Sequence, residues 1–273
     1  MKLIGGPKDG RWTARYVLWR LVRFFVFGYL VLFVFACTVG NRMIFHPPPS
    51  SYDGSEARHV SFEGVSGFYE AATNPEMPTL IWSHGNAEDA GQVVMLGDLF
   101  TRLGYGFLVY DYPGYGLSEG TPDEQSCYRS AEKAYHFLRD EKAIPPDQII
   151  AVGQSVGSGM ATWLAAEKEV GGLILIAPFK SAFRVATRVR ILPWDPFNNL
   201  AKMAQVTAPV LVIHGDEDEV IAYLQGKKVF AAATSAKRME TVEGGRHNDL
   251  WVNHRQQMLS AMRRFLDEYQ SER

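Results

Sequence analysis

Apolar residues follow two distinct patterns along the chain. Across residues 16–40 they run almost unbroken, and residues 24–40 (FFVFGYLVLFVFACTVG) carry no charge. A surface helix keeps a polar side, whereas this stretch is apolar on every face. A membrane helix needs about 20 such residues. Residues 16–40 therefore read as a transmembrane helix, with Arg20 and Arg23 extending their heads toward the headgroups. From residue 57 onward the pattern changes to short apolar runs separated by longer helical stretches. Strands are expected at 57–62 and 67–72 as a hairpin, and then at 79–83, 106–110, 149–152, 172–177, 210–214 and 238–242. Helices are expected at 88–103, at 123–141 with Thr121-Pro122 as its cap and first turn, at 155–168, and at 249–268. Strands alternating with helices predict an α/β fold: a mostly parallel central sheet with helices on both faces. In such sheets the active site lies at the carboxyl ends of the strands.

The flanks of the apolar stretch set its orientation. Lys2, Lys8, Arg11, Arg15, Arg20 and Arg23 lie on or toward its N-terminal side, and Arg42 alone lies close on the other. The positive-inside rule keeps the N-terminus in the cytoplasm and sends the bulk of the chain across the membrane. The rival reading is a cleaved signal peptide. Its apolar region is usually about 7–15 residues, shorter than this one. Residues 34–37 (VFAC) also resemble a lipoprotein cleavage box, although Phe35 is bulky for it. The expected organisation is a cytoplasmic tail at 1–15, a single-pass signal-anchor at 16–40, a Pro-rich linker at 41–56 and a catalytic domain at 57–273. That domain is placed on the extracytoplasmic side. His46-Pro47-Pro48-Pro49-Ser50 reads as a stiff spacer.

Composition narrows the function. The chain has 273 residues, 47% hydrophobic and 21% charged, as expected for a globular protein. The formal net charge of −2, with no basic patch interleaved with aromatics, argues against a nucleic-acid partner. Cys37 and Cys127 are the two cysteines, and one lies in the apolar stretch, so no disulfide framework is expected. No cysteine–histidine cluster has metal-site spacing. No metal and no cofactor are expected.

The chemistry centres on Gly153-Gln154-Ser155-Val156-Gly157, a G-x-S-x-G turn between an apolar strand and a helix. A serine on such a strained turn stands clear of the sheet, and crowding there excludes side chains two residues to either side. The following helix aims backbone N–H groups at a developing oxyanion. A serine hydroxyl needs a base that is itself held by an acid. After the 210–214 strand comes His214-Gly215-Asp216-Glu217-Asp218-Glu219, with four carboxylates as candidates or, equally, a solvated loop. Gly244-Gly245-Arg246-His247-Asn248 precedes the last helix, and His247 completes the chain order serine, acid, histidine. His84 and His214 abut their strands and read as loop braces. His136 is assigned to a helix, His254 to the interior of the last helix, and His46 and His59 precede the core.

With these motifs in view, the chain from about residue 58 onward resembles the α/β-hydrolase superfamily. The resemblance rests on SHGNAED (83–89), YDYPGYGLSEG (110–120), GQSVGSG (153–159), HGDEDEV (214–220) and GGRHND (244–249). It is similar in particular to membrane-anchored α/β-hydrolase-domain proteins, which include protein depalmitoylases, and to bacterial serine-aminopeptidase-like hydrolases. The resemblance implies a triad of Ser155, Asp218 and His247, selecting Asp218 over Asp216. It implies an oxyanion hole from the backbone N–H groups of Asn86 and Val156. The expected activity is hydrolysis of carboxylic esters or thioesters, on a small acyl ester or an acylated substrate, through an acyl-enzyme. The alternatives are a serine peptidase using the same triad, or a non-catalytic binding protein of this fold. The 178–209 interval is short, so a small cap replaces a lipase lid. Its Phe179, Phe183, Ile191, Leu192, Trp194 and Phe197 are either an acyl-binding rim or ordinary packing of that cap.

Overall fold

The computed structural model describes residues 13–271, in two units divided between Ile44 and Phe45. Lys2, Lys8 and Arg11, which weigh in the predicted orientation, lie outside the described residues. The first unit contains one helix, α1 (Ala14–Ile44), which is long and apolar enough to cross a membrane. At 31 residues it extends about 46 Å. Phe24 and Phe25 are exposed on it. The guanidinium of Arg23 sits over the Trp19 ring at 4.4 Å, and that of Arg20 over Tyr16 at 5.8 Å. The helix runs four residues past the predicted end at 40. Nothing in Asn41-Arg42-Met43-Ile44 breaks it, and the stop comes only where Pro47 constrains the residue before it.

The second unit, Phe45–Arg273, carries one eight-stranded sheet. Its strands are β1 (His59–Phe62), β2 (Val65–Glu70), β3 (Thr79–Ser83), β4 (Gly106–Tyr110), β5 (Ile149–Gln154), β6 (Gly172–Ile176), β7 (Val210–Gly215) and β8 (Lys237–Val242). The spatial order is β1-β2-β4-β3-β5-β6-β7-β8. β1 and β2 form the antiparallel edge, and every pairing from β4 to β8 is parallel. Strands β3 through β7 are buried apart from Gln154 at the end of β5. That fits their continuous Val/Ile/Leu character, because helices cover both faces. These helices include α2 (Ala90–Thr101), α3 (Glu124–His136) and α4 (Gly157–Glu167). Further along the chain are α5 (Ala182–Thr187), α6 (Asn199–Lys202), α7 (Tyr223–Ala232), α8 (Leu250–Asn253) and α9 (Arg255–Ser271).

Four expectations are revised. The cap of α3 is Asp123, whose side chain accepts from Ser126 N while the Ser126 hydroxyl takes the Asp123 N–H. Thr121-Pro122 therefore lies before the helix. The predicted continuation to 141 becomes a wider turn over Phe137–Glu141, where Phe137 stacks on Phe62 at 4.6 Å. The last helix breaks at His254, which the sequence places inside it. The segment read as a spacer lies against the sheet unit instead: Phe45 and Tyr52 are both buried. Aromatic side chains flank those Pro residues, and burying them outweighs the stiffness of the Pro run.

Candidate functional site

β3 and β5 are neighbours in register, with Ser83 opposite Gly153, so the loops that leave their carboxyl ends meet. The chain order reverses between these strands, the point at which sheets of this kind form ligand crevices. Ser155 leaves β5 at φ +52°, a left-handed conformation costly for a residue with a side chain. Its N–H is held by Ile176 O at 2.9 Å. A Cβ at Gly153 would lie 2.4 Å from Gly157 O, and one at Gly157 would lie 2.0 Å from Ser83 O. The two glycines are therefore required by close backbone approach.

The three side chains named from the sequence form one hydrogen-bonded line. Ser155 Oγ is 3.0 Å from His247 Nε2, and His247 Nδ1 is 2.7 Å from Asp218 Oδ2. The Asp218 side chain is 1% exposed and that of His247 is 10% exposed. The carboxyl of Asp218 also accepts the N–H groups of Val220 and Ile221 through Oδ1. Burial pushes this carboxyl up, but the histidines and the Ile221 N–H outweigh burial and hold it well below the usual carboxylate range. His214 Nε2 lies 3.3 Å from Asp218 Oδ2 and 2.8 Å from Ile221 O, so this histidine braces the acid's loop. Asp216, the rival acid, instead accepts from Gly244 N at 2.7 Å and closes the histidine loop. That loop is tightened further by Arg246 N on Asp249 Oδ1 at 2.8 Å and by His247 N on Glu219 Oε2 at 3.3 Å.

The second half of the site is the loop after β3. Among the described residues, neither Val156 N nor Asn86 N has a hydrogen-bond acceptor within the chain. Val156 sits at the head of α4, where the helix dipole favours negative charge. Gly85 N is held by Glu88 Oε1 at 2.6 Å. His84 braces the loop from below, with Nδ1 2.7 Å from Gly85 O and Nε2 3.2 Å from Asp111 Oδ1. Burial works against its charged form, but Asp111 outweighs burial and raises its pKa. Tyr112 stacks on His84 at 4.2 Å and donates its hydroxyl to His84 O.

The cap from 178 to 209 holds α5 and α6. It is organised by Asp195, which accepts from Ser181 Oγ, Phe183 N and Arg184 Nε. Phe179, Leu192 and Phe197 are buried as ordinary packing, while Ile191 is exposed and Phe183 and Trp194 are part-exposed.

The comparisons agree with this fold. A family model described as "alpha/beta hydrolase fold" matches residues 78–203, and one described as "Serine aminopeptidase, S33" matches residues 198–251. The chain carries the α/β-hydrolase fold. The chain is 41% identical over 176 residues to the alpha/beta hydrolase domain-containing protein 17C of Xenopus laevis, covering 63% of the chain and 56% of the relative. It is 38% identical over 194 residues to human protein 17B, covering 70% and 66%. The chain thus spans little more than half the length of the frog relative it matches. An esterase of Pyrococcus furiosus shares the fold with a TM-score of 0.70 at 16% identity, over 82% of this chain and 99% of the esterase. So does the acylaminoacyl peptidase of Pyrococcus horikoshii, with a TM-score of 0.61 at 17% identity, over 80% and 42%. One fold thus carries both names.

Sequence reasoning missed the contact of His214 with Asp218, although its place at the end of β7, four residues before the acid, is the signal. It also missed the role of residues 45–52, for which local sequence carries no signal.

Proposed function

We propose that this protein is a membrane-anchored serine hydrolase that cleaves carboxylic esters or thioesters of acyl substrates through an acyl-enzyme. The observation that carries the reading is the unbroken line Ser155 Oγ–His247 Nε2–His247 Nδ1–Asp218 Oδ2. His247 Nε2 takes the Ser155 proton as Oγ adds to the substrate carbonyl carbon. Asp218 holds the ring so that Nε2 is the acceptor, and its ionised carboxylate stabilises the imidazolium. The N–H groups of Val156 and Asn86 receive the oxyanion. Collapse expels the alcohol or thiol, which takes the proton from His247. Water then repeats the sequence on the acyl-Ser155, releasing the carboxylic acid and restoring the serine.

The cap favours an acyl substrate over a peptide, since Phe183, Ile191 and Trp194 offer apolar surface at its edge. The aminopeptidase-family match at residues 198–251 favours the second reading, a peptidase with the same triad. The apolar length of α1 supports membrane anchoring. Arg15, Arg20 and Arg23 at its N-terminal end support a cytoplasmic N-terminus and an extracytoplasmic catalytic unit. The deciding assay is a panel of p-nitrophenyl esters, acyl thioesters and aminoacyl amides with wild type and Ser155→Ala. Turnover of esters or thioesters that vanishes in the variant is expected. Turnover of the amides alone would replace the reading with the peptidase. No turnover and no fluorophosphonate labelling would leave a binding protein.

A further inference from the structure

The oxyanion loop is gripped from one side by chain that belongs to no strand or helix of the sheet unit. Asn86 Oδ1 accepts the His46 backbone N–H at 2.9 Å and the Tyr115 hydroxyl at 2.6 Å. That same hydroxyl accepts His46 N–H at 3.0 Å, and Asn86 Nδ2 lies 3.2 Å from His46 Nδ1. Five residues on, Ser51 takes both oxygens of Asp89, through N at 2.6 Å and Oγ at 2.5 Å. Asp89 is the N-cap of α2 and closes the loop's far end. Tyr52 donates its hydroxyl to Asp111 Oδ2, while Asp111 Oδ1 receives Ala90 N at 2.9 Å and faces His84. Two buried aromatic rings fix the segment. Phe45 meets Phe197 edge-on at 5.9 Å, and Tyr52 meets Phe68 edge-on at 4.9 Å.

We infer that residues 45–52 are a positioning strap, which sets the Asn86 N–H for the oxyanion by holding Asn86, Asp89 and Asp111 at once. The inference rests on the hydrolase reading above. A pure packing segment would need the buried Phe45 and Tyr52 but not polar contacts to Asn86 and Asp89 on the loop after β3 and to Asp111, which follows β4 and itself holds Ala90 N. Here Asn86 Oδ1, both oxygens of Asp89 and Asp111 Oδ2 are paired with the strap. An oxyanion donor acts only when fixed before the reaction, because a loop that must reorganise forfeits the gain. Burial also pushes the phenols of Tyr52 and Tyr115 above their ordinary value, so both remain donors through the working pH range.

The test uses the full-length chain in detergent or nanodiscs with a p-nitrophenyl ester. Tyr52→Phe combined with Ser51→Ala keeps the rings and backbone and removes the strap's side-chain donors. Asn86→Ala keeps the oxyanion N–H but releases His46. Each is expected to lower kcat roughly tenfold with KM within about twofold, since the loss appears only in the transition state. Binding of an aryl boronic acid, which forms a tetrahedral adduct on Ser155, should weaken by a similar factor. Affinity for the product carboxylate should stay unchanged. An unchanged kcat and boronate affinity per folded molecule would overturn the inference, even if the melting temperature falls. Losses spread equally over KM and carboxylate affinity would overturn it too. If Ser155→Ala itself retained turnover, the hydrolase reading would fail first, and the two failures are thereby distinguished.

Discussion

The two halves of the site are built on opposite plans. The serine, acid and histidine sit on loops leaving β5, β7 and β8, and neighbouring loops on the same edge support them. Asp216 ties the histidine loop to the acid loop through Gly244 N, and Glu217 N reaches Gly245 O. The oxyanion loop after β3 is instead held from far along the chain, by His46, Ser51 and Tyr52 on one side and Tyr112 and Tyr115 on the other. The first half makes bonds with strong local sequence signatures. The second depends on long-range contacts, and its accuracy depends on segments far from it in sequence.

The largest expected effect is on the first half. Ser155→Ala or His247→Ala should lower kcat by roughly 10³-fold or more, and Ser155→Ala should abolish fluorophosphonate labelling. Circular dichroism and melting temperature should show the fold retained. Labelling that persists at another residue would break the comparison at its root.

Asp218→Asn against Asp216→Asn comes next. Asp218 orients His247, whereas Asp216 holds only a backbone N–H, so kcat should fall by about 10²-fold or more at 218 and only severalfold at 216. Steady-state kinetics on both variants decides this, and equal losses would mean that the two carboxylates share the orienting role.

The response of stability to acid tests how Asp218 is held. Asp218 titrates below its ordinary range, so its contribution to stability is present above the unfolded carboxylate value of about 3.9. That contribution is lost only as pH falls toward the lowered native value. Between about pH 8 and about pH 5 the melting temperature should therefore lose nothing through Asp218, and a loss through this residue that begins in that window, seen by comparing wild type with Asp218→Asn, would mean that its partners do not hold it ionised.

The smallest effect is at the cap. Ile191→Ala should raise KM about threefold for a long-chain ester and leave an acetyl ester unchanged, because its exposed side chain can meet only a chain that reaches the rim. Equal changes on both esters would assign Ile191 to packing.

These plans also explain what could be read from the residues. Ser155 and His247 were legible as candidates because close backbone approach forces glycine at 153 and 157, and because chain order places the base after the acid loop. The parallel strands were legible because burial on both faces demands continuous apolar runs. The strap was not: Phe45-His46-Pro47-Pro48-Pro49 reads locally as a spacer, and its partners Asn86, Asp89 and Asp111 are remote in sequence. The break at His254 was equally hidden, since residues 253–257 (NHRQQ) contain no glycine or proline to mark it. The acid at 218 rather than 216 needed the family pattern first, and its geometry then came from which loop each carboxylate faces.

The left-handed backbone of Ser155 implies a trade between durability and reactivity. A non-glycine residue in that conformation costs on the order of 1 kcal/mol or more, and the surrounding strand and helix must absorb it. Ser155→Gly would relieve the cost and yield a protein that melts later yet turns over nothing, whereas Ser155→Ala would keep the strain and lose only the nucleophile. Selection for robustness alone would therefore drift toward glycine at this position, and the serine marks where the molecule gives up stability for chemistry.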